Sequence, residues 1–109
     1  MFHETMKDFS LLEKKLELQF NSKDILSQAF THRSYLNENP GLKIEHNERL
    51  EFLGDAVLEL VGTEYLYQEY PKKPEGELTN WRAALVNAKM LSLVADELGF
   101  NEFLLLSKG

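Results

Sequence analysis

An all-α fold with about five to six helices is what this sequence predicts, on three observations. Apolar residues recur at helical rather than alternating spacing, helix-capping residues punctuate that periodicity, and no strand-like alternation of useful length or internal repeat is present. The length of 109 residues fits one compact domain, and 43% hydrophobic residues suffice for a core while 28% charged residues argue against disorder.

The elements follow in order. Ser10-Leu11-Leu12-Glu13 has the form of a capping box and predicts a helix from Ser10 to about Phe20. Asn21 and Ser22 offer caps for a second helix, in which Ile25, Leu26, Ala29 and Phe30 share a face and which dissolves around Thr31-His32-Arg33-Ser34. Residues 36–46, with Asn37, Asn39, Pro40 and Gly41, are expected to form a loop. Asn47 is the expected cap of the longest helix, from 48 to about 70, which Pro71 and Pro74 terminate. A helix from about Glu75 to Val86 and another from Ala88 to Leu98 come next, the latter closed by Gly99 in the left-handed conformation. Asn101 to Leu106 is expected to add a short turn or helix.

The long helix carries the chemistry. At about 100° per residue, Glu48, Glu51 and Asp55 fall within an arc of roughly 60°, and Glu59 continues their line. Leu50, Leu53, Val57, Leu60 and Val61 gather opposite them as an apolar stripe expected to face the core. Like charges at this spacing repel one another, and hard divalent cations such as Mg²⁺ seek oxygen ligands of this kind. A solvated acidic face is the plainer alternative, since negative charge is also favourable near a helix N-terminus. Two details fit it poorly. Phe52 projects on the carboxylate side, where an aromatic ring needs a neighbouring element or a partner to cover it. Gly54 lies in mid-helix, which suggests close approach to the backbone there.

The run Asn47-Glu48-Arg49-Leu50-Glu51-Phe52-Leu53-Gly54-Asp55-Ala56-Val57-Leu58 resembles the signature of the ribonuclease III family, and its specificity is high because the match is unbroken. Thr31-His32-Arg33-Ser34, Glu75-Gly76-Glu77-Leu78-Thr79, Arg82 to Val86, Leu98-Gly99-Phe100 and Leu104 to Gly109 resemble further family motifs in the right order, so the similarity extends from about residue 9 to the end. The resemblance implies a helical endonuclease-domain fold and a Mg²⁺-dependent endoribonuclease (Mn²⁺ being a plausible substitute) that hydrolyses double-stranded RNA to 5′-phosphate and 3′-hydroxyl ends in rRNA and other RNA processing. It implies Glu51 as a metal ligand, and Asp55, Glu48 and Glu75 with it as catalytic-site residues. Phe52 resembles the aromatic knob of a homodimer interface.

Residues 1–109 are accordingly expected to form a catalytic domain incomplete at its C-terminus, missing its last helices. Family members continue past a stretch like Leu-Ser-Lys-Gly109 into a helix with an Asp-x-x-Glu pair that completes the metal site, and then into a double-stranded-RNA-binding domain. The 109-residue chain alone is therefore expected to have little nuclease activity and to expose apolar surface. A formal net charge of −6 counts against phosphate-backbone binding unless cations bind the acidic face. Lys72 and Lys73 are the basic candidates for RNA contact, although between Pro71 and Pro74 they also suit an exposed turn. His32 and Arg33 are expected to brace the fold, and Trp81 to lie in a core or interface. The absence of cysteine, of a signal-like N-terminus and of any bilayer-length apolar run points to a cytoplasmic protein with no membrane partner. The rival readings are a non-catalytic, dimeric RNA-binding scaffold of the same fold, which would be expected to have lost signature carboxylates, and a plain helical interaction module.

Overall fold

The computed structural model describes residues 8–108. Six α-helices follow one another: α1 (Ser10–Leu16), α2 (Lys23–Ala29), α3 (Arg33–Glu38), α4 (Glu48–Glu69), α5 (Glu75–Leu85) and α6 (Ala88–Glu97), with a 3-10 turn at Phe100–Glu102. The predicted all-α class holds.

Helix α1 starts where expected, but not by the expected device. Its N-cap is Phe9, and Asp8 Oδ1 accepts from both the Ser10 amide and hydroxyl. Glu13, instead of folding back on Ser10, accepts from the Phe20 amide at 2.7 Å and from Lys23 Nζ. The helix then stops at Leu16 rather than near Phe20, because Glu17 turns left-handed with φ 55°. Ser22 caps α2 as predicted, accepting from the Ile25 amide. Gly99 is left-handed, φ 72°, as its position after α6 required. Asn87, which the sequence did not single out, caps α6 through its side chain.

Helix α3 occupies part of what the sequence presented as a loop. Its N-cap is His32, whose Nδ1 accepts from the Ser34 amide at 3.1 Å. A six-residue helix opened by histidine carries neither the usual cap nor enough length for apolar periodicity.

The core lies between the two ends of the chain. Leu12, Leu26, Phe30 and Phe103 are buried together, with Phe9, Leu16, Phe100 and Leu104 packed around them. Phe30 meets Phe100 edge-on at 5.4 Å and lies 5.5 Å from Phe9. Fully buried Thr31 bonds back to the Ser27 carbonyl and forms an isolated parallel bridge with Leu105. Hydrogen bonds from Leu105 to Phe30 and from His32 to Leu105 close that bridge at 2.8 and 2.9 Å.

The predicted core stripe of α4 is a correction. Leu53, Val57, Leu60 and Val61 are 50–67% exposed, and only Leu66 of the whole helix is buried. Helix α5 packs on the other face, which the helical repeat assigns to Glu59, Gly62, Thr63 and Leu66, the continuation of the carboxylate line. A Cβ on Gly62 would stand 3.1 Å from Val86 Cγ2, so glycine is what lets α4 and the end of α5 approach. At Gly54, by contrast, nothing beyond its own stretch of helix lies within 4 Å of where a Cβ would be, so the described residues do not make the close approach inferred there. The result is elongated, 58 × 27 × 22 Å with a radius of gyration of 16.9 Å, where a compact chain of this length would have about 13 Å. The expected apolar exposure is found.

Candidate acidic site on α4

Helix α4 is the rigid rod on which the site is built. Asn47 sits at its N-cap, yet the side chain does not cap the helix: its Nδ2 donates to the Ala29 carbonyl at 2.9 Å, while its amide donates to the Thr31 carbonyl at 2.9 Å. The N-terminus of α4 is thereby fastened to the end of α2 and to the buried Thr31. Glu48 and Glu51 fall in the first turn, where unpaired amides favour negative charge. Asp55 follows one turn on, and all three carboxylates are exposed.

The carboxylates differ in what they touch. Glu48 Oε1 accepts from Arg33 Nη2 at 2.5 Å, which ties α3 to α4. Glu59 pairs with Arg82 of α5 at 3.6 Å, and Arg82 also donates to Thr63 Oγ1 at 2.8 Å. That pairing relieves the repulsion between Asp55 and Glu59, which no lysine on α4 could do. It went unforeseen because it crosses between helices.

Glu75 is not brought to this cluster. It opens α5 and lines a groove of about 650 Å³ with Leu66, Tyr67 and Tyr70, at the far end of α4. At 1.5 Å per residue, the level of Tyr67 is roughly 24 Å along the axis from Glu51. Among the described residues, no three of His, Cys, Asp and Glu converge closely enough to hold a metal ion. The donor chemistry suits a hard cation, but the donor number does not.

Phe52 stands 83% exposed beside the carboxylates, uncovered by any described element. Lys73 is partly engaged, 3.9 Å from Glu77 and 5.7 Å from the Trp81 ring centre, whereas Lys72 is exposed. Trp81 is half-buried and edge-on to Tyr70 at 4.8 Å, which locks the turn between α4 and α5.

A profile of the ribonuclease-III-like family matches residues 22–109. The chain belongs to the ribonuclease-III-like family. Ribonuclease 3 of Streptococcus pneumoniae strain P1031 is 52% identical over 100 residues, and that of serotype 19F strain G54 is equally similar. The match takes in 92% of this chain but 43% of each relative, so the chain spans less than half the length of these ribonucleases. Two solved structures of the nuclease domain of ribonuclease III from Campylobacter jejuni share its fold. One has a TM-score of 0.82 at 44% identity, covering 93% of this chain and 66% of the other; the second has 0.80 at 45%, covering 94% and 66%. The first of these structures concerns flexibility in a region involved in that domain's dimer formation. The ribonuclease-III-like chain thus carries its acidic signature on a helix anchored at its N-terminus and bare along one apolar side. No helix among the described residues is long and apolar enough to cross a membrane.

Proposed function

We propose that this chain supplies the acidic face of a divalent-metal-dependent endoribonuclease that acts on double-stranded RNA as a homodimer, in rRNA and other RNA processing. The observation that carries this reading is the alignment of Glu48, Glu51 and Asp55 on the fastened first turns of α4, in a chain of the ribonuclease-III-like family. Glu51 is the residue that would hold Mg²⁺ or Mn²⁺, with further ligands from outside the described residues and Asp55 beside it to assist the chemistry. Such an ion, when bound, polarises a phosphate and lowers the pKa of water. The chain's own part is to hold the carboxylates at fixed rise and angle along one helix, facing a duplex read by its A-form shape and 2′-hydroxyls. Products with 5′-phosphate and 3′-hydroxyl ends fit that chemistry.

The separation of Glu75 from the other carboxylates supports a dimer, because a second copy is the simplest way to bring it near an acidic face. Phe52 is the anchor proposed for that contact. Lys72 remains the better placed of the two lysines for phosphate.

The test is duplex-RNA retention by the purified chain with Ca²⁺, which can fill such sites without supporting cleavage, followed by cleavage with Mg²⁺. We expect weak, cation-dependent retention that Glu51→Gln and Asp55→Asn reduce, and little cutting by the chain alone. Retention that ignores both the cation and the two substitutions would refute the acidic-face reading. Because no metal cluster is complete among the described residues, the second reading is a non-catalytic, dimeric RNA-binding scaffold. It predicts no cutting even where duplex RNA is retained.

A further inference from the structure

We propose that His32 is a pH-sensitive latch, whose neutral imidazole holds the start of α3 to the returning C-terminal stretch and releases it on taking up a proton. Its Nδ1 accepts from the Ser34 amide at 3.1 Å and stands 2.7 Å from Ser34 Oγ. Ser34 Oγ in turn accepts from the Ser107 amide at 3.0 Å, across 73 positions of sequence. Imidazole, hydroxyl and amide thus form one chain of hydrogen bonds beside the Thr31–Leu105 bridge.

The direction of that chain fixes the protonation state. The Ser107 amide proton points at Oγ, which leaves the hydroxyl proton to point at Nδ1. With the Ser34 amide aimed at the same nitrogen, Nδ1 has to present a lone pair. The ring is therefore neutral and carries its proton on Nε2. A proton added to Nδ1 sets N–H against N–H at Ser34 and removes the cap of α3. The Ser34 hydroxyl can turn to accept from the new donor, but its own proton then loses its partner.

Serine, asparagine or aspartate would cap such a helix without titrating near neutrality. Histidine changes charge between about pH 5 and 8, so this cap is conditional on pH. The charged and titratable groups carried by the junction are Arg33 and Glu38 on α3, His46 and Glu48 at the start of α4, and Lys108 beside Ser107. Arg33 and Glu48 pair with each other, Glu38 accepts from the Lys108 amide, and His46 Nδ1 meets the Glu48 amide at 3.4 Å. Because the neighbouring Thr31 carbonyl holds the Asn47 amide, the latch also bears on how firmly the first turn of α4 is fastened. None of this depends on whether the acidic face binds a cation.

The test is amide hydrogen exchange of the whole chain at about pH 7.5 and 5.5, corrected for the intrinsic effect of pH, in wild type, His32→Asn and His46→Gln. The Ser34 and Ser107 amides should quicken about fivefold at the lower pH, the scale of one hydrogen bond, while the Leu60 amide in mid-α4 does not. His32→Asn keeps a capping acceptor that does not titrate, so it should abolish the quickening; His46→Gln should leave it intact. Ring nitrogen shifts of wild-type His32 at the higher pH should show the Nε2–H tautomer, a readout that needs no variant to fold. An Nδ1–H tautomer, an equal response in His32→Asn, loss of the response in His46→Gln, or uniform quickening that includes Leu60 overturns the proposal.

Discussion

Glu13 illustrates how one side chain can do a different job from the one its spacing suggests. Its carboxylate is buried against Lys23 and the Phe20 amide, and these two partners, Lys23 first, hold its pKa below the usual 4.5. A depressed carboxylate stabilises the fold above its unfolded pKa and loses that contribution as pH falls through the folded value. Unfolding followed against pH should therefore steepen below about pH 4.5 in the wild type, and Glu13→Gln should remove that component while lowering stability at neutral pH. If the two acid limbs coincide, the Lys23–Glu13 contact is not formed in solution. At Leu12, 1% exposed at the centre of the core, truncation to alanine should cost about 2–5 kcal/mol by urea unfolding. That is a large share of the roughly 5–15 kcal/mol available to a domain.

At the scale of elements, the seam between α4 and α5 is set by Gly62. Gly62→Leu would force Val86 and Arg82 aside and should destabilise by about 1–3 kcal/mol. Amide exchange should quicken in α5 but not in α1 or α2, since the two regions share no packed side chains in the core; uniform quickening would show that the seam is coupled to the whole fold. The elements were largely legible beforehand: the spans of α2, α4, α5 and α6, the cap at Ser22 and the left-handed Gly99 all follow from local chemistry. What escaped was non-local. His32 opens α3 because Leu105 and Ser107 come back to hold that segment, and no window of neighbouring residues contains that information. The apolar stripe of α4 was correctly recognised as a stripe, but a pattern names a face without naming its cover. Likewise the acidic line was visible, whereas the pairing of its carboxylates with Arg33 and Arg82 depends on which helices pack against it.

The whole molecule is more extended than its length warrants: α4 reaches out of the Phe30 core with α5 packed along one flank. Leu53, Val57 and Leu60 then leave a long apolar tract in contact with water, and Phe52 is exposed on the carboxylate side of the same helix. If Phe52 anchors a second copy, Phe52→Ala should shift sedimentation from dimer to monomer without altering helix content, whereas Leu12→Ala should change both. A wild-type chain that sediments only as monomer at high concentration would rule out self-association of this chain through Phe52.

The Thr31–Leu105 bridge has a consequence for synthesis. The Ser107–Ser34 hydrogen bond beside it spans 73 positions of sequence, and Phe103 completes the aromatic cluster around Phe30. At about 5–20 residues per second, a ribosome needs several seconds to make that intervening stretch. Throughout that interval the first three helices wait without their closing partner, with Phe9 and Phe30 at their ends available to any chaperone at the tunnel exit.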